Sequence, residues 1–431
     1  MLRKIIQIWC ISLCAVWLFS GKAYAAEATY ENAQIDIEEF SSEKSLTDDN
    51  TNTYAKALEN NRITISREDG IGGIYIKFDR IPTAWTLEET VNGETITCGE
   101  NGFLHEYVDL KECFGLAPKS AALSFTEDTV IADIYVFSEG EVPDWVQIWQ
   151  PPCEAADLLL VSSHSDDEQL FFLGVLPYYA GEMGLNVQVA YVVQHFEANG
   201  VQNHQRPHEQ LDGLWTVGIR NYPVMSDFPD LYAQSKDRQV ALSQAKAVFE
   251  SAGVTYDDFV AYMTGCIERF KPLVIVSHDL DGEYGHGTHV LTAAALIEAV
   301  EKTGSVEKLY LHLYEENPIV MDYDVPLSNF GGKTAYEVSC DGFACHKSQH
   351  WTWFYKWIYG SEENPITKAS QIRSYSPCKY GLYYTAVGED TVGGDFFENV
   401  DTYGERIADK LEELKKQLID ATDKSQRGVF Q

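Results

Sequence analysis

Positive charge is scarce in this chain. Lys and Arg number 32 against 66 Asp and Glu, a formal net charge of −34 at pH 7. A surface of that sign repels nucleic acid and anionic membranes, so neither is an expected partner. It favours cationic substrates only weakly, because salt screens exposed charge, and the acidity reads first as solubility. No CxxC pair occurs, so a thiolate zinc site is not expected. Beyond the first residues no apolar run is long enough to cross a bilayer, which takes about 20 residues. Internal repeats and low-complexity runs are absent. Between residues 62 and 140 long helical periodicity is missing as well.

What is present begins with a targeting segment. Arg3 and Lys4 form a basic start, Ile5 to Phe19 is almost wholly apolar, and Ala23-Tyr24-Ala25 gives a small-x-small cleavage pattern. Residues 1–25 read as a signal peptide, and the mature chain as secreted or held at the cell surface. Its removal takes away Arg3, Lys4 and Lys22 but no acid, which deepens the net charge from −34 to −37. Cys10 and Cys14 leave with it. Cys98, Cys113, Cys153, Cys266, Cys340, Cys345 and Cys378 remain, an odd set that leaves at least one thiol unpaired within the chain. Export permits disulfides, and Cys98–Cys113 and Cys340–Cys345 are the plausible local pairs.

With 45% hydrophobic and 13% aromatic residues the chain can bury sizeable cores, and 431 residues suffice for two domains. Residues 26–60 are polar and acidic and read as a loosely ordered, flexible leader. Residues 61–140 carry short β-branched and aromatic runs separated by turn residues, the pattern of a β-sandwich or jelly-roll domain. Such a module is either a carbohydrate binder or a structural cap; Tyr75, Trp85, Phe103 and Tyr107 are its candidate sugar-stacking side chains. Pro143, Pro151 and Pro152 mark a linker or rigid junction over 141–155. Residues 156–423 alternate strands and helices. Strands are expected at Leu158–Ser162, Val187–Val193, Leu273–Ser277 and Lys308–Tyr314. Helices are expected at Glu168–Gly181 (kinked at Pro177), His208–Gly218, Arg238–Ala252, Asp257–Phe270, His289–Thr303 and Thr402–Thr422. That alternation implies a Rossmann-like α/β domain, a mostly parallel sheet with helices on both faces.

Two stretches carry the chemistry: His164-Ser165-Asp166-Asp167-Glu168 and Gly282-Glu283-Tyr284-Gly285-His286-Gly287-Thr288-His289. Each follows an apolar strand, so both fall at the edge of a parallel sheet where open α/β folds bind ligands. The turn after His164 can splay Asp166 and Asp167 apart, one to bind a metal and one to stay free. His164, a carboxylate and His289 make three protein ligands with an open position, the arrangement of a catalytic zinc. Zinc-bound water has a pKa of about 7, and Asp166 can take its proton. His286 faces the same cavity, placed to stabilise an oxyanion or protonate a leaving amine.

These motifs resemble those of the PIG-L/LmbE-type zinc N-deacetylases, which remove acetyl from N-acetylglucosamine-type substrates. The family's His-Pro-Asp-Asp-Glu stands here as His164-Ser165-Asp166-Asp167-Glu168, and its Gly-His-Pro-Asp-His as Gly285-His286-Gly287-Thr288-His289. The resemblance covers roughly residues 156–420. It implies Zn2+ on His164, Asp167 and His289, Asp166 as base, and His286 as acid or oxyanion stabiliser. It further implies Tyr284 as a side chain that moves over the site, and Arg206 and Asp230 as sugar contacts. Ser165 and Gly287 replace prolines, a change of rigidity rather than chemistry. Thr288 replaces an aspartate that would hold His286 protonated, and its loss lowers the His286 pKa unless Glu283 or Asp279 substitutes.

His164-x-Asp166 with His289 also fits an Fe(II) facial triad, although such triads sit on jelly rolls rather than in strand–helix alternation. A third reading is a catalytically inactive glycan-binding protein. The aromatic run from His350 to Trp357 is either a sugar-lining wall or packing, and His346 reads as structural. The substrate is expected to be an N-acetylated sugar or glycan. Oligomeric state is not legible.

Overall fold

A computed structural model describes residues 26–428 apart from 32, 38–42, 60, 195–196, 199–200 and 203; the expected signal peptide at 1–25 lies outside the described residues. The chain is mixed α/β with several sheets. Its first part is built from nine strands: β1 (Gln34–Ile37), β2 (Ala55–Ala57), β3 (Arg62–Ser66), β4 (Gly73–Phe78), β5 (Trp85–Glu89), β6 (Thr95–Cys98), β7 (His105–Asp109), β8 (Ser120–Ser124) and β9 (Thr129–Phe137). A short helix, α1 (Leu110–Phe114), follows β7. The strands form two antiparallel sheets, ordered β1-β3-β8-β5-β6 and β2-β9-β4-β7. In β3 Ile63 and Ile65 point inward while the residues between them stay half-buried, the period-two signature of a strand with one covered face. Ile63, Ile65, Leu87 and Leu123 of one sheet share a core with Ile74, Ile76 and Ile131 of the other.

Two expectations are corrected here. Residues expected as a loose leader include strands: β1 pairs with β3, placing Ile35 opposite Ile65, and β2 pairs with β9, placing Ala55 opposite Ile131. Their apolar residues are few and surrounded by acids, so composition hid a short alternating pattern. The four aromatics considered for sugar stacking are not exposed either. Tyr75 and Trp85 are fully buried, Phe103 nearly so, and Tyr107 is half-buried. Trp85 Nε1 donates to Glu106 at 3.1 Å inside the core.

The Pro-rich stretch after β9 is packed. Gln150 N–H donates to Arg220 O and Tyr222 N–H to Gln150 O, both at 2.8 Å, and Val146 and Trp149 are buried. Gln147 Nε2 donates to Asp212 at 2.6 Å.

The second part is organised by β10 (Leu158–Ser162), β11 (Val187–Tyr191), a short pair β12 (Glu197–Ala198) and β13 (Val201–Gln202), then β14 (Val224–Met225), β15 (Val274–Ser277), β16 (Lys308–His312), β17 (Pro318–Val320) and β18 (Lys379–Thr385). Seven of these form one sheet ordered β14-β11-β10-β15-β16-β18-β17. The first five run parallel; β18 is antiparallel to β16 and β17 antiparallel to β18. The helices are α2 (Asp167–Leu170), α3 (Arg206–Thr216), α4 (Arg238–Ser251), α5 (Tyr256–Phe270), α6 (Gly287–Thr303), α7 (Ala335–Cys345), α8 (Thr352–Tyr359) and α9 (Tyr403–Gly428).

Alternate residues of β10 serve opposite faces. Leu158 and Leu160 pack with Leu211 and Leu214 of α3 and Phe343 of α7. Leu159 and Val161 pack with Phe249 of α4, Phe259 of α5 and Leu291 of α6. A strand covered on both faces reads as an unbroken apolar run, as Leu158-Leu159-Leu160-Val161 does. Burying each such side chain stabilises the fold by about 1.5–3 kcal/mol.

The helix expected over 168–181 is broken. Only α2 and a π-turn at Pro177–Glu182 form, because Gly174 between them adopts φ 93°. A Cβ there would lie 2.2 Å from the Tyr323 ring, so the bend brings a core aromatic against bare backbone. No disulfide forms among the described residues; all seven thiols are free. Cys340 and Cys345 share α7 five residues apart, which turns them to different faces of the helix. Among the described residues no helix is long and apolar enough to cross a membrane.

β11 lies on one side of β10 and β15 on the other. The sheet's building direction therefore reverses at β10, and a crevice opens at the carboxyl ends of β10 and β15. Both motif stretches begin there.

Candidate functional site

His164 leaves β10 two residues after its end, and its backbone N–H donates to Asp167 Oδ2 at 2.8 Å. The turn between them is strained. Asp166 adopts φ 142°, a conformation that side chains rarely tolerate and that costs about 1–3 kcal/mol. Glu168 Oε2 steadies it by accepting from Asp166 N–H at 2.8 Å. The result is the divergence expected of the two aspartates. Asp167 points to the imidazoles, whereas Asp166 Oδ1 lies 3.5 Å from Arg206 Nη2.

Three donor atoms converge. His164 Nδ1 and Asp167 Oδ2 are 3.0 Å apart, Asp167 Oδ2 and His289 Nε2 3.3 Å, and His289 Nε2 and His164 Nδ1 3.2 Å. All three residues are buried. Zinc bonds of about 2.0–2.1 Å at a tetrahedral angle set donor atoms roughly 3.3 Å apart, so the triangle fits a divalent ion without rearrangement. His164 Nε2 is buried without a hydrogen-bond partner, 3.6 Å from Asp230 Oδ1. A second cation-sized group consists of Asp167, His278 and His289, and a third of His164, His286 and His289. They share His289 and describe one polar cluster.

Behind the triangle stands Glu283, which sequence reasoning considered only as a partner for His286. Its carboxylate accepts from His289 Nδ1 at 2.7 Å, His278 Nδ1 at 2.8 Å and His312 Nδ1 at 2.6 Å, with no solvent exposure. His278 Nε2 accepts from Ser163 N–H at 2.9 Å, which fixes its tautomer with the proton on Nδ1. Donation of the His289 Nδ1 proton to Glu283 likewise leaves the Nε2 lone pair free toward the triangle. A carboxylate behind a ligating imidazole orients the ring and raises its basicity. Burial opposes a charge on His289, but Asp167 and Glu283 on its two nitrogens outweigh that and move its pKa upward. Burial would also raise Asp167, and the flanking His289 and His164 overturn it and hold the carboxyl well below its ordinary range. His278 and His312 were missed in the sequence. The available signal was position, since each sits at the carboxyl end of a parallel strand, β15 and β16.

The Gly-rich loop is tight. Gly282, Tyr284 and Gly285 adopt φ 67°, 46° and 76°. A Cβ on Gly285 would meet Ser235 O at 2.3 Å. The loop is stitched to residues 233–235: Ser235 N–H donates to Gly285 O at 3.0 Å, Gly287 N–H to Ala233 O at 2.7 Å, and Gln234 Nε2 to Tyr284 O at 2.9 Å. Gly287, where the resembling family has proline, thus supplies an N–H that proline lacks. The stitch carries Asp230 and Tyr232 into the cavity wall.

His286 caps α6, its Nδ1 accepting from Thr288 N–H at 3.2 Å. Burial, then His289 and His164, push its pKa well below the ordinary value, and the positive end of α6 acts in the same direction. Among the described residues it makes no ion pair with a carboxylate: Glu283 serves the other three histidines, and Thr288 Oγ1 donates to Leu231 O. A neutral ring with Nδ1 accepting presents Nε2–H as a donor. Glu283 therefore does not substitute for the aspartate that Thr288 replaces, and the His286 pKa is lowered as expected in that case. Burial, opposed by Arg206, raises Asp166 to about 7, suited to taking a proton near neutrality.

Arg206, at the start of α3, also donates from Nη2 to Ser165 O at 3.1 Å, and its Nη1 lies 3.6 Å from Asp230 Oδ2. His346, read as structural, is fully buried with Nε2 2.9 Å from Glu168 Oε1, and Glu168 raises its pKa against burial. The cavity above these groups has a volume of about 600 Å³. His164, Asp166, Asp167, Arg206, Asp230, Tyr284 and His286 all line it, and His289 closes the centre from beneath.

A buried cluster of imidazoles and carboxylates at the carboxyl ends of parallel strands has the donor set to hold a divalent ion. Residues 159–300 match the family described as PIG-L: GlcNAc-PI de-N-acetylase, and the chain carries a PIG-L domain there. Over 166 residues it is 30% identical to a 1D-myo-inositol 2-acetamido-2-deoxy-alpha-D-glucopyranoside deacetylase of Mycobacteroides abscessus, an alignment covering 36% of this chain and 58% of that protein. The chain thus spans little more than half the length of that relative. An N,N'-diacetylchitobiose deacetylase from Pyrococcus horikoshii is similar at 16% identity and TM-score 0.32, covering 48% of this chain and 76% of that one. CpGH89CBM32-6 from Clostridium perfringens is similar at 19% identity and TM-score 0.21, covering 25% and 95%.

Proposed function

We propose that the chain is an exported zinc hydrolase that removes acetyl from N-acetylglucosamine-type sugars. The observation that carries this reading is the triangle of His164 Nδ1, Asp167 Oδ2 and His289 Nε2, spaced 3.0 to 3.3 Å apart beneath a cavity. The PIG-L match spans all three residues. The basic start, apolar run and Ala23-Tyr24-Ala25 box support export.

Zinc on those three residues supplies Lewis acidity, which brings the pKa of water toward 7. The remaining work belongs to the protein. Arg206 and Asp230 hold the sugar against the cavity wall. Asp166 takes a proton from the water that attacks the acetyl carbonyl carbon. His286 donates a hydrogen bond from Nε2 to the developing oxyanion, and Tyr284 closes over it. As the C–N bond breaks, the proton held by Asp166 passes to the nitrogen, leaving a free amine and acetate. The aspartate is a base and then an acid, so a neutral His286 is sufficient.

One observation weighs against the Fe(II) oxygenase alternative. That triad needs Asp166 beside the two histidines, whereas Asp166 faces Arg206 and it is Asp167 that meets both rings. The test is acetate release from N-acetylglucosamine and its glycosides by zinc-loaded protein. Stoichiometric acetate and free amine, abolished by chelation and restored by zinc, is the expected result. Oxygen uptake with iron, or glycan binding without acetate, would overturn the reading.

A further inference from the structure

The cavity extends well beyond the catalytic groups. Much of its lining is aromatic: Trp351, Trp353, Phe354 and Trp357, with Tyr232 5.3 Å from His286 on the catalytic side. Trp351 precedes α8 and Trp353 lies in its first turn. Their rings stack 5.5 Å apart at only 6° between planes. They are 50% and 52% exposed, unusual for the largest side chain in a protein whose other aromatics are mostly covered. The helix explains the division of labour. Phe354 and Ile358, four residues apart, are buried in the core, while Trp353 and Trp357, also four apart, share the face toward the cavity. Trp357 continues the wall inward, 5.5 Å from Tyr284, whose ring is 5.7 Å from His289. Ring contacts therefore run from the Trp351–Trp353 stack through Phe354 and Trp357 to Tyr284 beside His289.

We propose that Trp351 and Trp353 form a subsite for a second, neutral pyranose ring, so that the substrate is an oligosaccharide or glycan chain rather than a single amino sugar. This rests on the deacetylase reading of the centre. The axial C–H bonds of a pyranose carry slight positive charge and pack on the negative face of an aromatic ring, and an indole adds an N–H donor at its edge. With about half of each side chain exposed, the parallel stack of two indoles leaves aromatic surface open for a sugar ring to pack on. The ring must be uncharged because the other polar groups lining the cavity, Gln234 and Gln349, are neutral, while the catalytic groups include Asp166, Asp167 and Asp230 with Arg206 as the cationic side chain. A uronic acid or phosphate at the mouth would meet the chain's negative field without a counter-charge.

The test compares acetate release from N-acetylglucosamine with release from its β-1,4- and β-1,6-linked tetramers, for wild type and for Trp351→Ala/Trp353→Ala in the full zinc-loaded chain. Wild type is expected to favour at least one tetramer over the monosaccharide by about tenfold or more in kcat/KM, in line with stacking of one ring on an aromatic face. In the double variant that ratio should fall to near one, with the loss in KM rather than kcat. Equal kcat/KM for monosaccharide and both tetramers in wild type, or an undiminished ratio in the variant, overturns the proposal. Tryptophan fluorescence titration with the same tetramers separates this from failure of the deacetylase reading. Saturable quenching lost in the double variant upholds the subsite even if no acetate appears, and absence of quenching by either tetramer refutes it.

Discussion

Glu283→Gln isolates the carboxylate on which three buried imidazoles depend. Glu283 Oε2 accepts from His278 and His289, and Oε1 from His312 and the Asp279 N–H at 3.2 Å. The amide is isosteric. With its oxygen at the Oε2 position it still accepts from His278 and His289, while the NH2 faces His312, which can turn Nδ1 into an acceptor because Nε2 keeps Ser376 O at 3.0 Å, and the one unmatched contact is the long bond from the half-buried Asp279 N–H. The fold should therefore persist. What is lost is charge. A hydrogen bond to an ionised group contributes about 1 kcal/mol more than a neutral one, giving a loss of roughly 2–3 kcal/mol over three bonds. The larger effect falls on the metal. Without the carboxylate behind it His289 is a weaker donor, and removal of such a partner typically lowers metal affinity or activity 10–100-fold. Zinc affinity measured by competition with a chelator, beside urea unfolding of the metal-free proteins, reads both quantities. Wild-type zinc affinity in a folded Glu283→Gln variant would refute the reasoning that this carboxylate tunes the centre.

Two further outcomes are expected. Asp167→Ala should lose zinc, whereas Asp166→Asn should keep zinc and lose turnover by about 100-fold or more; metal content beside acetate release checks both. His105 Nε2 and His208 Nδ1 meet at 2.6 Å in a fully buried pair joining the two parts of the chain, and burial depresses both pKa values well below the ordinary one. The native pair stays neutral while the unfolded chain takes up protons below about pH 6.5, so stability falls as pH drops through that value. His208→Gln should flatten the dependence between pH 6 and 5 by up to about 1.4 kcal/mol per pH unit in urea unfolding, and an unchanged slope would contradict it.

Much of the site was legible because its residues sit where a strand ends. Apolar β10 and β15 announce themselves, and the histidines and carboxylates just beyond must share one edge of the sheet. The divergence of Asp166 and Asp167 was also readable, although the φ of 142° that produces it was not. Glu283 was harder. A carboxylate that serves three rings from β15, α6 and β16 is visible only once those elements pack, because its partners are 5, 6 and 29 residues away. The partner of His346 was hidden for the same reason, its carboxylate lying 178 positions earlier in the chain. In the first part β3, β4 and β9 were plain from β-branched runs. β1 and β2 were not, since three or four residues among acids gain their apolar face only by pairing with distant strands. The break at Gly174 likewise follows from Tyr323, far along the sequence.

The central claim is that one divalent ion sits among His164, Asp167 and His289. Anomalous diffraction from zinc-loaded crystals, collected on both sides of the zinc absorption edge, tests it most directly. The account predicts a single strong peak within about 2.0–2.2 Å of His164 Nδ1, Asp167 Oδ2 and His289 Nε2. A peak elsewhere, or none in protein that releases acetate, would contradict it.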